Sequence, residues 1–131
     1  MEHEDLTKAI IGCAMEVHST LGPGFLESVY QNALAHELRE KGFSVACECR
    51  LQVRYKDLVV GDFIADMLVN DLVLIENKAV QALNTAHEVQ LVNYLTATGI
   101  AVGLLINFGA DSLKVKRKHR KLTISCLAMV I

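Results

Sequence analysis

Apolar residues recur along the first third of the chain at helical spacing. Leu6, Ile10, Cys13, Val17 and Leu21 line one face and predict an amphipathic helix over about 4–20. "LGPG" at 21–24 breaks it, and Pro23 stands where a second helix can begin. That helix is expected over about 25–40, with an apolar arc of Leu26, Val29, Tyr30, Ala33, Leu34 and Leu38 and a stop at Gly42. The period then changes from helical to alternating. Strands are expected at about 43–55, 59–69 and 72–79, with "YKDL" and "VND" as the turns between them. A third helix, about 84–98, opens on Asn84 or Thr85 and closes at Gly99. "IAVGLLINFG", 100–109, is an almost unbroken apolar run bounded by glycines, the pattern of a strand buried on both faces. A basic strand at about 113–121 and an apolar tail, 122–131, finish the chain.

The expected order is α-α-β-β-β-α-β-β over a single domain, 1–131. Three successive strands suggest an antiparallel meander, and the helix after them suggests a right-handed crossover to a central strand. The fold class is therefore α/β, or α+β by stricter criteria: a mixed sheet flanked by helices.

Composition narrows this further. Hydrophobic residues make up 52 % of 131, which permits a substantial core and argues against wholesale disorder. No apolar run approaches the ~20 residues of a membrane span, and "MEHEDLTKAI" lacks the basic-then-apolar order of a signal peptide. A cytoplasmic protein without membrane attachment is expected. Of the four cysteines, only Cys47 and Cys49 are close; their spacing matches no zinc site. On a strand they would share a face, as a metal or redox pair or as two small packed thiols.

The net charge of −2 conceals an asymmetry. Residues 1–113 carry seven basic and all fifteen acidic side chains, and 114–131 carry six basic ones and no acid. Lys114, Lys116, Arg117, Lys118, Arg120 and Lys121 form a run that suits either a polyanion or a solvated edge strand.

Against this background "DFIADMLVNDLVLIENKAV", 62–80, stands out, because Asp66, Glu76 and Lys78 interrupt two strongly apolar strands. Burying charge is costly unless it is paired, hydrogen-bonded or bound to metal. Glu76 and Lys78, two apart, share a strand face. A two-residue loop at Asn70-Asp71 would pair 69 with 72 and set Asp66 opposite Ile75. A three-residue loop or a one-residue bulge would set it opposite Glu76. The triplet reads either as a cross-strand ion pair or as an oxygen-ligand site for Mg²⁺ or Mn²⁺ with an assisting lysine. Glu27 lies near the edge of its helix's apolar arc, though Glu37 lies within the same arc. His87, Gln90, Leu91 and Tyr94 share one face of the third helix and offer either polar site groups or satisfied, half-buried side chains.

Together these segments resemble a known pattern. "GFLESVY", 24–30, matches the Gly-x-x-Glu-x-x-Tyr signature of the GxxExxY protein family. Residues 61–80 look like its Asp…Glu-x-Lys hairpin, and "HEVQLVNYLTATGIAVGLLINFG", 87–109, resembles its helix and following strand. That family is placed in the PD-(D/E)xK nuclease superfamily. The resemblance implies a restriction-endonuclease-like core in which Asp66, Glu76 and the backbone carbonyl of Asn77 hold Mg²⁺ or Mn²⁺. It implies that Lys78 assists the attacking water and that Glu27 binds metal directly or through water. Gln90 and Tyr94 would position substrate, together with Tyr30 and His87. The residue before Asp66 is Ala65, where the superfamily's nominal motif has proline, and residues 122–131 have no counterpart in the pattern. The expected function is metal-dependent hydrolysis of DNA, with RNA left open and the basic run on the phosphate backbone. The competing expectations are a non-catalytic nucleic-acid-binding or regulatory module and a homodimeric resolvase-like endonuclease.

Overall fold

The computed structural model describes residues 2–121; the tail expected at 122–131, with Cys126, lies outside the described residues. The element order matches the expectation. Helices α1 (Glu4–Leu21) and α2 (Glu27–Glu40) precede strands β1 (Val45–Tyr55), β2 (Leu58–Val69) and β3 (Val73–Lys78). Helix α3 (Thr85–Thr98) and strands β4 (Val102–Asn107) and β5 (Lys114–His119) follow. The strands form one five-stranded sheet in the order β1-β2-β3-β4-β5. Only β3 and β4 run parallel, joined through α3; the other neighbours are antiparallel.

The sheet lies between two helical layers. Ile10, Cys13, Val17, Tyr30, Leu34 and Leu38 of α1 and α2 pack on Met67, Val69, Val73, Ile75, Leu104 and Ile106. Leu91 and Leu95 of α3 pack on the other face against Ala65, Leu68, Leu74 and Leu105. β4 is buried along its whole length, as its continuous apolar run requires. Gly103 lets α3 sit close: an added Cβ would lie 3.0 Å from Leu91 and 3.2 Å from Leu95.

The β1–β2 ribbon is irregular at two places: its register shifts between Val53 and Arg54, and its side-chain alternation breaks between Cys47 and Cys49. Cys47 packs in the α1–α2 layer, whereas Cys49 packs in the α3 layer, so the two thiols do not share a face as expected. Between them Glu48 adopts a left-handed backbone, φ 53°. The ladder joins Cys47 to Met67 and Cys49 to Ala65 and leaves Glu48 unpaired opposite Asp66. Beyond this point the ribbon turns over. Phe63 and Leu51 then face α3, and Tyr55, Leu58, Val60 and Ile64 are exposed.

The far end of β3 is anchored by "NFG" at 107–109. Phe108 N–H donates to the Lys78 carbonyl at 2.8 Å. The fully buried Asn107 donates from Nδ2 to the Val80 carbonyl (2.8 Å), and its Oδ1 accepts from Val80 N–H (3.0 Å) and Gly109 N–H (3.0 Å). Gly109 lies so close to residues 79–80 that an added Cβ would be 2.4 Å from the Val80 nitrogen and 2.5 Å from the Ala79 carbonyl carbon.

This contact yields a paired expectation. Gly109→Ala must displace backbone and is expected to cost about 1–3 kcal/mol or more. Gly12→Ala, in exposed mid-helix with nothing within 4 Å, is expected to gain about 0.5–1 kcal/mol. Urea unfolding of both variants measures the contrast, and equal stability would contradict the close approach.

Candidate active site

The hairpin between β2 and β3 sets the geometry. Asn70 and Asp71 both have positive φ (52° and 58°), and Leu72 N–H closes the turn on the Val69 carbonyl at 2.9 Å. The ladder nevertheless pairs Val69 with Val73, Leu68 with Leu74 and Met67 with Ile75. Leu72 is thus an extra, exposed residue. This one-residue offset sets Asp66 opposite Glu76. Asn70 is held from outside the hairpin: its N–H donates to the Ser44 carbonyl and its Oδ1 accepts from Ser44 N–H, both at 2.8 Å.

Asp66 and Glu76 interlock through the backbone. Asn77 N–H donates to Asp66 Oδ2 at 2.7 Å, and Asp66 N–H donates to Glu76 Oε1 at a longer 3.4 Å. Asp66, Glu76 and Lys78 are all half-buried. Burial is the main force raising the Asp66 carboxyl above its usual range. The Asn77 N–H opposes it, the charges of Glu27 and Glu48 add to it, and Lys78 opposes it. Burial likewise pushes Glu76 up, to about 7, with the Asp66 charge next; Asp66 N–H and Lys78 pull down and Glu27 pushes up. The acids around Asp66 and Glu76 therefore exceed the positive charge that one lysine supplies.

α3 supplies the opposite wall. Tyr94 stacks on Phe63 with ring centroids 3.7 Å apart and planes 10° from parallel. Burial raises the Tyr94 pKa, the Glu76 charge adds to the rise, and a hydrogen bond with Gln90 opposes it. The structure thus brings Gln90 and Tyr94 to the side of Glu76. Glu27, the first residue of α2, is exposed and close enough to act on both Asp66 and Glu76.

Other expected residues lie elsewhere. Tyr30 is fully buried and stacked on Phe108. Its hydroxyl donates to the Gly22 carbonyl (2.6 Å) and accepts from Phe25 N–H (3.1 Å), so it braces the α1–α2 turn and is not placed to position substrate. His87 closes the N-terminus of α3: Asn84 Oδ1 accepts from His87 N–H at 3.1 Å, and His87 Nδ1 accepts from Asn84 N–H at 3.3 Å.

Strand alternation divides the basic run. Lys118 forms a 2.6 Å ion pair with Glu88, on the flank of α3 turned away from Gln90. A groove between α3 and β5, lined by Val89, Val92, Asn93 and Lys121, lies on that same flank, away from the carboxylates. Arg117 points to the other layer, donating to Thr7 Oγ1 at 2.5 Å and to the Glu2 carbonyl. Arg120 donates to the Gly99 carbonyl, and Lys121 N–H to Thr96 Oγ1 at 3.1 Å. Lys116 stands on β5 beside Leu105, which α3 covers. Lys114 alone shares a cross-strand row with Lys78, through Asn107, about 10 Å away over two strand spacings. The run does not line the carboxylate site as a unit.

Glu48 and Gln31 were not foreseen. Glu48 acts on Asp66 and accepts a 2.9 Å hydrogen bond from Gln31 Nε2. Periodicity carries no signal for this, because it assumes that every residue of the strand is extended.

Among the described residues, no three His, Cys, Asp or Glu side chains are gathered tightly enough to cage a cation by themselves. The donor set still suits Mg²⁺, which is characteristically held by one or two carboxylates with water and substrate phosphate completing the octahedron. The two carboxylates, their shared backbone contacts and the excess negative charge meet that description.

Comparison with known proteins agrees with the architecture. The family model for the PD-(D/E)XK nuclease superfamily matches residues 4–120. No curated protein matches the chain. A solved structure, described as the crystal structure of SSO0001, superposes with a TM-score of 0.57 at 16 % identity. The alignment covers 98 % of this chain and 64 % of that one, so the chain spans less than two thirds of that protein's length. The likeness is one of fold.

The raised Glu76 pKa has a thermodynamic consequence. The folded state holds this proton up to pH about 7, whereas a free glutamate loses it near pH 4.3. Ionisation therefore costs stability between those limits: the full stability is present below the lower value and declines as pH rises to the upper. In chelator-treated protein, the Tm advantage of Glu76→Gln over the parent is expected to grow from pH 4.5 to pH 7.5 and then level off. Thermal melts across that range check it, and a pH-independent difference would contradict the assignment.

Proposed function

The chain belongs to the PD-(D/E)XK nuclease superfamily, and from that premise we propose that it is a divalent-metal-dependent nuclease hydrolysing phosphodiester bonds of DNA. The observation that carries the reading is the offset hairpin, which sets two acids opposite each other on a half-buried face with a lysine on the next in-facing position. A domain with no use for this arrangement would gain stability by replacing its unbalanced carboxylates with apolar residues.

Asp66, Glu76 and the Asn77 backbone carbonyl would hold Mg²⁺ or Mn²⁺, with Glu27 reaching it directly or through water. The bound ion supplies Lewis acidity, lowering the pKa of water and offsetting phosphoryl charge. Lys78 donates hydrogen bonds that orient the attacking water and stabilise charge building on the phosphate. Water oxygen bonds to phosphorus as the P–O3′ bond breaks, and the electron pair and a proton pass to O3′. The products are a 5′-phosphate and a 3′-hydroxyl. Tyr94, braced by Phe63 and joined to Gln90, fixes the substrate from the α3 side. Lys114 offers a further phosphate contact in line with Lys78. The Gly-x-x-Glu-x-x-Tyr motif supports placement in the GxxExxY family within the superfamily.

The decisive experiment is cleavage of single-stranded, duplex and branched DNA, with RNA alongside, in Mg²⁺ and in chelator. Asp66→Asn, Glu76→Ala and Lys78→Ala are each expected to lower the rate by about 10²-fold or more with the fold retained. Lys114→Ala is expected to leave catalysis intact and to reduce the salt dependence of binding by about one phosphate contact. Cleavage by Glu76→Ala at the parent rate would refute the proposal.

A further inference from the structure

Glu48 stands in a conformation that a strand residue seldom adopts. Its φ of 53° is left-handed, a region where the Cβ crowds the following carbonyl oxygen. Glycine or asparagine would occupy the position more easily. Such strain persists where surrounding contacts over-determine it, and those places cluster at functional sites. Here the strained residue lies unpaired opposite Asp66, between the ladder pairs Cys47–Met67 and Cys49–Ala65. Its side chain is not loose: Oε1 accepts from Gln31 Nε2 at 2.9 Å. Gln31 lies four residues beyond Glu27 on α2, so the two share a helix face. The chain of contacts runs from Asp66 across the ladder to Glu48, through Gln31 into α2, and back one turn to Glu27.

We propose that Glu48 is a positioning residue of the metal site, latched to Gln31 so that α2 holds Glu27 against Asp66. This role rests on the metal-dependent reading above. The left-handed backbone turns the β1–β2 ribbon over at the level of Asp66, and the side chain ties that turning point to the helix bearing the third acid. Neither Glu48 nor Gln31 needs to touch the ion. They act as partners that hold ligands in place do, and loss of such a partner lowers metal affinity by about 10–100-fold.

Mn²⁺ titration of the intact chain tests this with five proteins: parent, Gln31→Ala, Glu48→Ala, the double variant Gln31→Ala/Glu48→Ala, and Glu48→Gln. Gln31→Ala and Glu48→Ala are each expected to weaken Mn²⁺ binding about 10-fold, and the double variant to lose no more than either alone. Glu48→Gln, whose amide oxygen still accepts from Gln31, is expected to stay within about threefold of the parent. Melting temperatures in chelator are expected to change little, because the Gln31–Glu48 hydrogen bond is exposed to water. Parent affinity in Gln31→Ala, or a loss in Glu48→Gln as large as in Glu48→Ala, overturns the latch while leaving the metal site standing. A folded parent that binds no Mn²⁺ removes the metal reading and the latch with it.

Discussion

One residue of offset in the β2–β3 ladder governs the site. Leu72 closes the turn but does not pair, so Val69 meets Val73 and Asp66 faces Glu76. A strand's side chains alternate with a period of two, and a ladder slipped by one residue would carry Asp66 opposite Ile75. The offset also brings Asn77 N–H to Asp66 Oδ2 and Asp66 N–H towards Glu76. Packing and electrostatics are thus specified together: the register that pairs the buried Met67 with Ile75 also brings the two carboxylates together.

Once the acids are placed, the neighbouring elements hold their surroundings. The buried Asn107 and the close contact at Gly109 secure residues 79–80, and Phe108 N–H secures the Lys78 carbonyl. The backbone that carries Lys78 therefore ends in a braced segment. On the far wall, the Asn84–His87 cap starts α3 and the Phe63–Tyr94 stack ties that helix to the ribbon. These apolar and amide contacts hold rigid the face that carries the acids and Lys78.

Element type and order were legible because helix and strand periods differ strongly here. The helix over 4–20 and the buried strand within 100–109 appear with boundaries shifted by only a few residues. Three features were not legible, each for a distinct physical reason. Alternation from Phe43 to Tyr55 predicts one apolar face, but a left-handed Glu48 rotates the strand, and no pattern of polarity encodes a backbone angle. Tyr30 matched a motif, yet its hydroxyl is consumed by Gly22 and Phe25, partners met only in three dimensions. The basic run read as one patch because a linear count ignores that neighbouring strand residues face opposite ways; Arg117 goes to α1 and Lys118 to α3. The hairpin was legible as a pair of alternatives, and the bulged Leu72 decides between them.

The hairpin turn also divides the contacts of the site into local and distant ones. Asp66 and Glu76 are joined by a short segment of chain, whereas β3 reaches its parallel neighbour β4 only after α3 has been traversed. Closing a short loop sacrifices less chain entropy than closing a long one. The Asp66–Glu76 pair is the local contact of the site and the β3–β4 pairing the distant one. Repulsion between ionised carboxylates is weak in water and grows as the local dielectric falls, so α3 and β4, which cover the sheet, are the elements whose docking bears the electrostatic cost of the site.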